Sequence, residues 1–290
     1  MAYVSPVAHS TSIFKDDLFK GKVLFCTGGG SGICKAMTET MMRHGADACI
    51  VGRKLDRLNA SAGELAKATG KRCIAAQGDV RNPEQLKSAV AKTMEAFGRI
   101  DFVICGESLL FVPVVGCLNL REQTVVDIDT IGTYNTIKAT IAYVRASKGS
   151  YIHVSATLHY KATPFQVHVS AAKAAVDATS AVLAVEEGPH GVRSNVIAPG
   201  PIGGTEGVDR LQTKDKLNGG ISSRIPLGRL GHLNDIANTT VFLFSDAASF
   251  ITGQVIAVDG GSEPLRTVGL PYPQCVLDPA SVKDMIKPRL

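Results

Sequence analysis

Short apolar runs alternate with longer amphipathic stretches along almost the whole chain. Lys22–Thr27 (KVLFCT) reads as a buried strand, and Gly32–His44 as the helix that follows it. The same alternation predicts strands at Ala48–Gly52, Arg72–Gln77 and Phe102–Cys105, separated by helices over Lys54–Thr69 and Pro83–Phe97. Arg121–Ser147 reads as one long helix, Ser150–Ser155 as a strand, Val169–Glu187 as an Ala-rich helix and Ser194–Ala198 as a further strand. A helix near Asn234–Phe244 precedes a last strand, Gln254–Val258. Strands alternating with helices form βαβ units, whose parallel sheet is covered on both faces. The expected architecture is α/β: a single doubly wound parallel sheet with helices on both faces. No internal repeat, low-complexity tract or linker divides it. Residues 1–20 read as an N-terminal arm, 21–262 as the one folded domain, and 263–290, with several prolines and little periodicity, as an extended tail.

Composition changes this picture little. The 290 residues are 45% hydrophobic and 20% charged, which allows a full core and excludes wholesale disorder. Lys plus Arg is 31 against Asp plus Glu 26, a net charge of +5. So mild an excess suits an anionic small ligand, whereas a nucleic-acid partner would call for clustered basic patches and a motif. The seven cysteines are scattered without a CxxC, a pattern of reduced intracellular thiols and not of a disulfide framework or zinc site. No His/Cys/Asp cluster has metal-ligand spacing, so no metal is expected. No apolar run approaches the ~20 residues of a membrane span.

Chemistry enters at Thr27-Gly28-Gly29-Gly30-Ser31-Gly32-Ile33, between the first strand and the first helix. Glycines there let the backbone turn tightly and approach a pyrophosphate, which the helix N-terminus attracts. Cys34 stands where a third motif glycine usually lies, so a slight shift of helix against strand is expected. An acidic residue at the end of the second strand would select NAD. Arg53-Lys54 stands there instead, and two cations suit a 2′-phosphate, hence NADPH. The other reading of this pair is a solvated start to a helix. Asp79, before Val80, is placed either to accept from an adenine amino group or to cap the helix starting near Asn82.

The glycine turn, Asp79-Val80, Asn195-Val196-Ile197-Ala198-Pro199-Gly200, Thr252-Gly253 and Val258-Asp259-Gly260-Gly261 together resemble the short-chain dehydrogenase/reductase family. The resemblance runs from about Gly21 to Gly261 and implies a Rossmann-type sheet. It implies cofactor contacts at Thr27, Gly28, Gly30, Ser31, Gly32, Ile33, Arg53, Lys54, Asp79, Val80, Lys173, Pro199, Gly200 and Ile202. Most members carry a Tyr-x-x-x-Lys pair. Lys173 is present, but the residue four before it is Val169, which has no proton to give to an alkoxide. Ordinary ketone chemistry then needs another donor, such as His168 or Tyr160.

Val126-Asp127-Ile128-Asp129-Thr130, Val154-Ser155-Ala156-Thr157, His168 through Asp177, and Ala198-Pro199-Gly200-Pro201-Ile202 with Thr205-Glu206-Gly207 look like the 2,4-dienoyl-CoA reductase branch, peroxisomal members above all. There the tyrosine is absent and an aspartate, here Asp129, replaces a helix asparagine. The resemblance implies Asp129 and Lys173 as catalytic residues, an acyl-CoA substrate, reduction to a 3-enoyl-CoA in β-oxidation, and assembly of copies through the two long helices. Glu107-Ser108-Leu109-Leu110-Phe111 departs from the branch's Ala-Ala-Gly-Asn-Phe. That departure keeps open a diverged reductase of secondary metabolism, acting on another conjugated or carbonyl substrate, or a non-catalytic NADP-binding protein. His153 reads as a core histidine, and His159 and Tyr160 as candidates for the substrate pocket. Pro288-Arg289-Leu290 keeps the basic and leucine positions of a peroxisomal address, so a peroxisomal location is expected, with the cytosol as the alternative.

Overall fold

Strand β1 (Val23–Thr27) buries all five of its residues, as a strand in the middle of a covered sheet must. Its side chains alternate between two cores, with Leu24 and Cys26 in one and Phe25 in the other. This period of two recurs in β2 (Asp47–Gly52), where Ala48 and Ile50 oppose Cys49 and Val51. In β4 (Phe102–Cys105), Phe102 and Ile104 oppose Val103 and Cys105. With β3 (Cys73–Gln77), β5 (Ser150–Val154), β6 (Arg193–Pro199) and β7 (Val255–Val258), they form one seven-stranded sheet. Every pairing is parallel and the order is β3-β2-β1-β4-β5-β6-β7. The order reverses between β1 and β4, and ligands of such sheets sit at that crevice, beyond the C-terminal ends of the strands. The structure is a computed structural model that describes residues 4, 6–106, 121–164, 166–205, 222, 225–265 and 277–278.

One face is covered by α1 (Gly32–Arg43), α2 (Leu55–Thr69) and, further along the chain, a helix at Leu233–Phe244. Met37 and Met41 of α1, Leu58 and Leu65 of α2, and Ile236 and Val241 of that helix share one core. The other face is covered by α3 (Pro83–Phe97), by a helix at Gly132–Ser147 and by one at Val167–Glu187. Asn82 caps α3, its side chain accepting from Glu84 N and Gln85 N, with Pro83 at the first helical position.

The structure adds detail to three expectations. The stretch Arg121–Ser147 is helical throughout, as expected, but it is not α-helical throughout. A short α4 (Arg121–Val126) is separated from α5 (Gly132–Ser147) by a π-helical turn, Asp127–Ile131. Gly132, just after that turn, lets Val80 lie close against the helix, since a Cβ there would stand 2.4 Å from Val80 Cγ2. The N-terminal arm does more than lead in. Phe19 is buried edge-on against Phe102, and Ala8 O accepts from Asn238 on the Leu233–Phe244 helix. The expected tail opens with a helical turn, Ser262–Leu265. The remaining helices are hereafter α6 (Val167–Glu187), α7 (Leu233–Phe244) and α8 (Ser262–Leu265).

Candidate active site

The glycine turn between β1 and α1 opens on a cavity of about 230 Å³ lined by Gly28, Gly30, Ser31, Val51, Gly52, Arg53, Lys54, Arg57 and Leu58. Gly28 and Gly32 have φ of +68° and +57°, a backbone that side-chain-bearing residues rarely adopt. Ser31 precedes α1 without a side-chain capping bond, which leaves the first N–H groups of α1 available to an anion. Arg53 and Lys54 lie at the rim as the sequence predicts. Arg57 joins them from one turn further on, a cation that the sequence reading missed although its three-residue spacing from Lys54 was the available signal. All three are exposed, and among the described residues no carboxylate pairs with them. A glycine cradle at a helix N-terminus, rimmed by cations, fits the pyrophosphate of a dinucleotide.

Other predicted cofactor residues take different places. Thr27 is fully buried, its hydroxyl donating to Ile104 O and accepting from Gly106 N, so it ties β1 to β4. Ile33 packs against the core of the α1 face. Cys34 donates its thiol to Gly106 O at 3.3 Å, and a Cβ at Gly106 would stand 2.2 Å from that sulfur. The bulk added at position 34 is thus met by a glycine on the neighbouring strand end.

Asp79 is gripped by Arg81, which donates to both carboxylate oxygens at 2.5–3.2 Å. Hydrogen bonding from Arg81 holds its carboxyl below the usual range. Asp79 is therefore not the helix cap, a role Asn82 takes, and its carboxylate already has a cation. Val80 is buried with Leu86 and Ile128. Pro199 and Gly200 end β6, where a Cβ on Gly200 would stand 2.5 Å from Asp259 Cβ. Ile202 is buried and bridged to Gly231, and its carbonyl accepts from Thr205 Oγ1 at 2.7 Å.

The π-turn carries Asp129 into the interior, where it is 0% exposed. Lys173 of α6, 1% exposed, places Nζ 3.1 Å from Asp129 Oδ2 and donates to Val154 O at 3.0 Å. Two residues 44 positions apart are thereby paired at the C-terminal end of β5. Val169, one turn before Lys173, is buried with Val125 and Ala172, with Leu158 against them. The place where most of the family carries a phenol is an apolar packing site here.

His153 is fully buried, its Nε2 3.0 Å from Ser194 Oγ, and burial lowers its pKa to about 4. It is a core histidine. The loop after β5 holds His159 and Tyr160, both bonded to Asp177 Oδ2, at 2.7 and 2.5 Å. Burial and its bond to that carboxylate raise the Tyr160 phenol far above its ordinary range, so it is a committed donor and no source of protons. His168 is buried. Glu107, Leu109 and Leu110 lie outside the described residues, as do Glu206, Gly207 and the chain end from 279. Among the described residues no helix is long and apolar enough to cross a membrane, and no cluster of three or more His, Cys, Asp or Glu could hold a metal.

A family model described as enoyl-(acyl carrier protein) reductase matches residues 28–263. The peroxisomal 2,4-dienoyl-CoA reductase of Saccharomyces cerevisiae is 49% identical over 258 residues, covering 88% of this chain and 88% of that protein. Its namesake in Danio rerio is 42% identical, over 87% and 85% of the two chains. The chain belongs to the short-chain dehydrogenase/reductase family. A short-chain type dehydrogenase/reductase from Mycobacterium ulcerans superposes with a TM-score of 0.81 at 31% identity, over 94% of this chain and 99% of that one. The protein is therefore an oxidoreductase with a Rossmann-type sheet, of a family that works with a nicotinamide cofactor.

Proposed function

We propose that the protein is an NADPH-dependent 2,4-dienoyl-CoA reductase that yields a 3-enoyl-CoA in fatty-acid β-oxidation. The observation that carries this is the pairing of Asp129 with Lys173 beside a buried Val169. A phenol is needed where a hydride addition leaves charge on an isolated alkoxide. With a conjugated thioester the charge spreads over an enolate, and hydrogen-bond donors with an ordered water suffice. When bound, the nicotinamide supplies a hydride to the far end of the diene. Gly28, Gly30, Ser31 and the start of α1 would hold its pyrophosphate, and Arg53, Lys54 and Arg57 its 2′-phosphate. Lys173, fixed by Val154 O and Asp129, would hold the ribose and place positive charge beside the developing enolate. Asp129 and Lys173 would orient the water that protonates the carbon next to the thioester carbonyl.

The names of the relatives favour a peroxisomal location. Assembly of copies through α5 and α6 is part of the same reading. Tyr134, Val182 and Val185, on these two helices, are 56, 56 and 77% exposed, and a groove of about 500 Å³ runs between the helices.

Purified protein should consume dienoyl-CoA absorbance only when NADPH is supplied. Asp129→Ala and Lys173→Ala should each lower kcat on the order of a hundredfold or more. Arg57→Ala should raise the KM for NADPH roughly tenfold and leave that for NADH unchanged. No turnover on any chain length rejects the reading, and equal use of NADH rejects the cofactor assignment.

A further inference from the structure

The loop between β5 and α6 is held by more than its own backbone. Thr157 N donates to Pro199 O at 3.1 Å, which fixes the loop's first residues to the end of β6. Ala162 N and Thr163 N fold the loop back onto His159 O and Leu158 O, and Ala162 takes a φ of +49°. The tip then reaches across to α6. His159 Nε2 and Tyr160 Oη converge on one oxygen of Asp177, and their rings lie 3.9 Å apart between centroids, tilted by 47°. The Ser155 hydroxyl lies close enough to help keep that carboxylate charged, without full hydrogen-bond geometry. On its other side the loop is tied by Lys161 Nζ to Ser262 Oγ at the start of α8.

Asp177 lies four residues after Lys173 on α6, and residues at that spacing share a helix face. One face of one helix thus carries the lysine paired with Asp129 and the carboxylate that anchors the loop. The loop leaves the C-terminal end of β5, the edge of the sheet where ligands of this architecture bind. Resting on the reductase reading above, we propose that Asp177 is a positioning residue. Through His159 and Tyr160 it sets the loop on which the acyl thioester rests, at a fixed distance from Lys173. The Tyr160 hydroxyl is spent on the anchor, so the loop offers the thioester its ring surface and not a hydroxyl.

The test uses the full chain, NADPH and 2,4-hexadienoyl-CoA, with Tyr160→Phe, Asp177→Asn, their double variant and Asp177→Glu. Tyr160→Phe removes one oxygen and keeps the ring. It should raise the KM for the thioester roughly tenfold, keep kcat within about threefold and leave the dissociation constant of NADPH unchanged. Asp177→Asn should raise that KM further. The double variant should cost no more than Asp177→Asn alone, because both remove the same anchor, and Asp177→Glu should recover part of the loss. Unchanged KM in Asp177→Asn, multiplying effects in the double variant, or a parallel fall in NADPH affinity would overturn the proposal. Hydrogen exchange on the NADPH-bound protein gives a readout free of substrate. Amides of residues 157–163 should lose protection in Asp177→Asn while those of α6 keep it, and equal protection overturns the anchor. A wild type inert towards dienoyl-CoA would reject the reductase reading and the thioester assignment with it. The exchange measurement would then still decide whether Asp177 holds the loop.

Discussion

At the scale of single residues, the nearly invariant rule is that a buried polar group keeps a partner or loses its charge. Lys173 keeps partners, the Val154 carbonyl and the Asp129 carboxylate. His153 follows the second course: its pKa falls from 6.5 to about 4 because burial disfavours the imidazolium. The unfolded chain therefore binds a proton below about pH 6.5 that the folded chain refuses until about pH 4. Stability from this residue is fully present above pH 6.5 and lost as the pH falls towards 4. Between pH 7 and pH 5 the loss comes to about 2 kcal/mol. Urea unfolding at the two pH values should show that loss in the wild type and a smaller one in His153→Asn, and equal slopes would refute the assignment. Residue identity made His153 legible in the sequence, since a histidine inside an apolar strand has little choice. Asp177 was not legible in this way, because it matters only for what the fold brings opposite it.

At the scale of elements, β1 to β7 lie where the alternation of apolar and polar runs puts them, since each strand has an apolar run bounded by turn or polar residues. The helix predicted over Arg121–Ser147 is present as one helical run, with a π-turn at Asp127–Ile131 that the prediction did not contain. The apolar pattern did not reveal this turn, because the extra residue only shifts the phase of the apolar stripe, by about 100°, between two segments that each keep the helical period. Beside the turn, Gly132 takes the close approach of Val80, which comes from the β3–α3 connection about fifty residues away. Gly132→Ala would gain helix propensity of up to ~1 kcal/mol. It would also force the added methyl into Val80, which is buried beside Leu86 and Ile128 and has little room to move. Overpacking of this kind costs about 1–3 kcal/mol. The expected outcome is a lower melting temperature and reduced kcat, as Asp129 sits in the displaced turn. Val80→Ala in the same chain should restore much of both, and a Gly132→Ala variant as stable and active as the wild type would show that the contact does not shape the helix.

At the scale of the whole molecule, two helices of one sheet face remain partly uncovered. Val182 and Val185 of α6 and Tyr134 of α5 present apolar surface beside the Arg145–Glu187 ion pair that fastens the two helices. Sedimentation should find the chain at a multiple of its 30.5 kDa mass, and Val182→Glu should shift it towards the monomer by placing a charge in that surface. A wild type that sediments as a monomer would refute assembly through this face. By itself the sequence determined the α/β class, the glycine turn, the basic pair that follows the second strand, and the absence of the phenol at Val169. These are local facts, set by periodicity, by backbone freedom and by residue identity. Only the tertiary structure decided that Asp129 meets Lys173, that Arg57 completes the cation rim, and that Asp177 gathers His159 and Tyr160. Such meetings join residues of different elements or different turns. Which side chain faces which is settled when the sheet order and the packing of helices onto it are fixed, and no local pattern carries that.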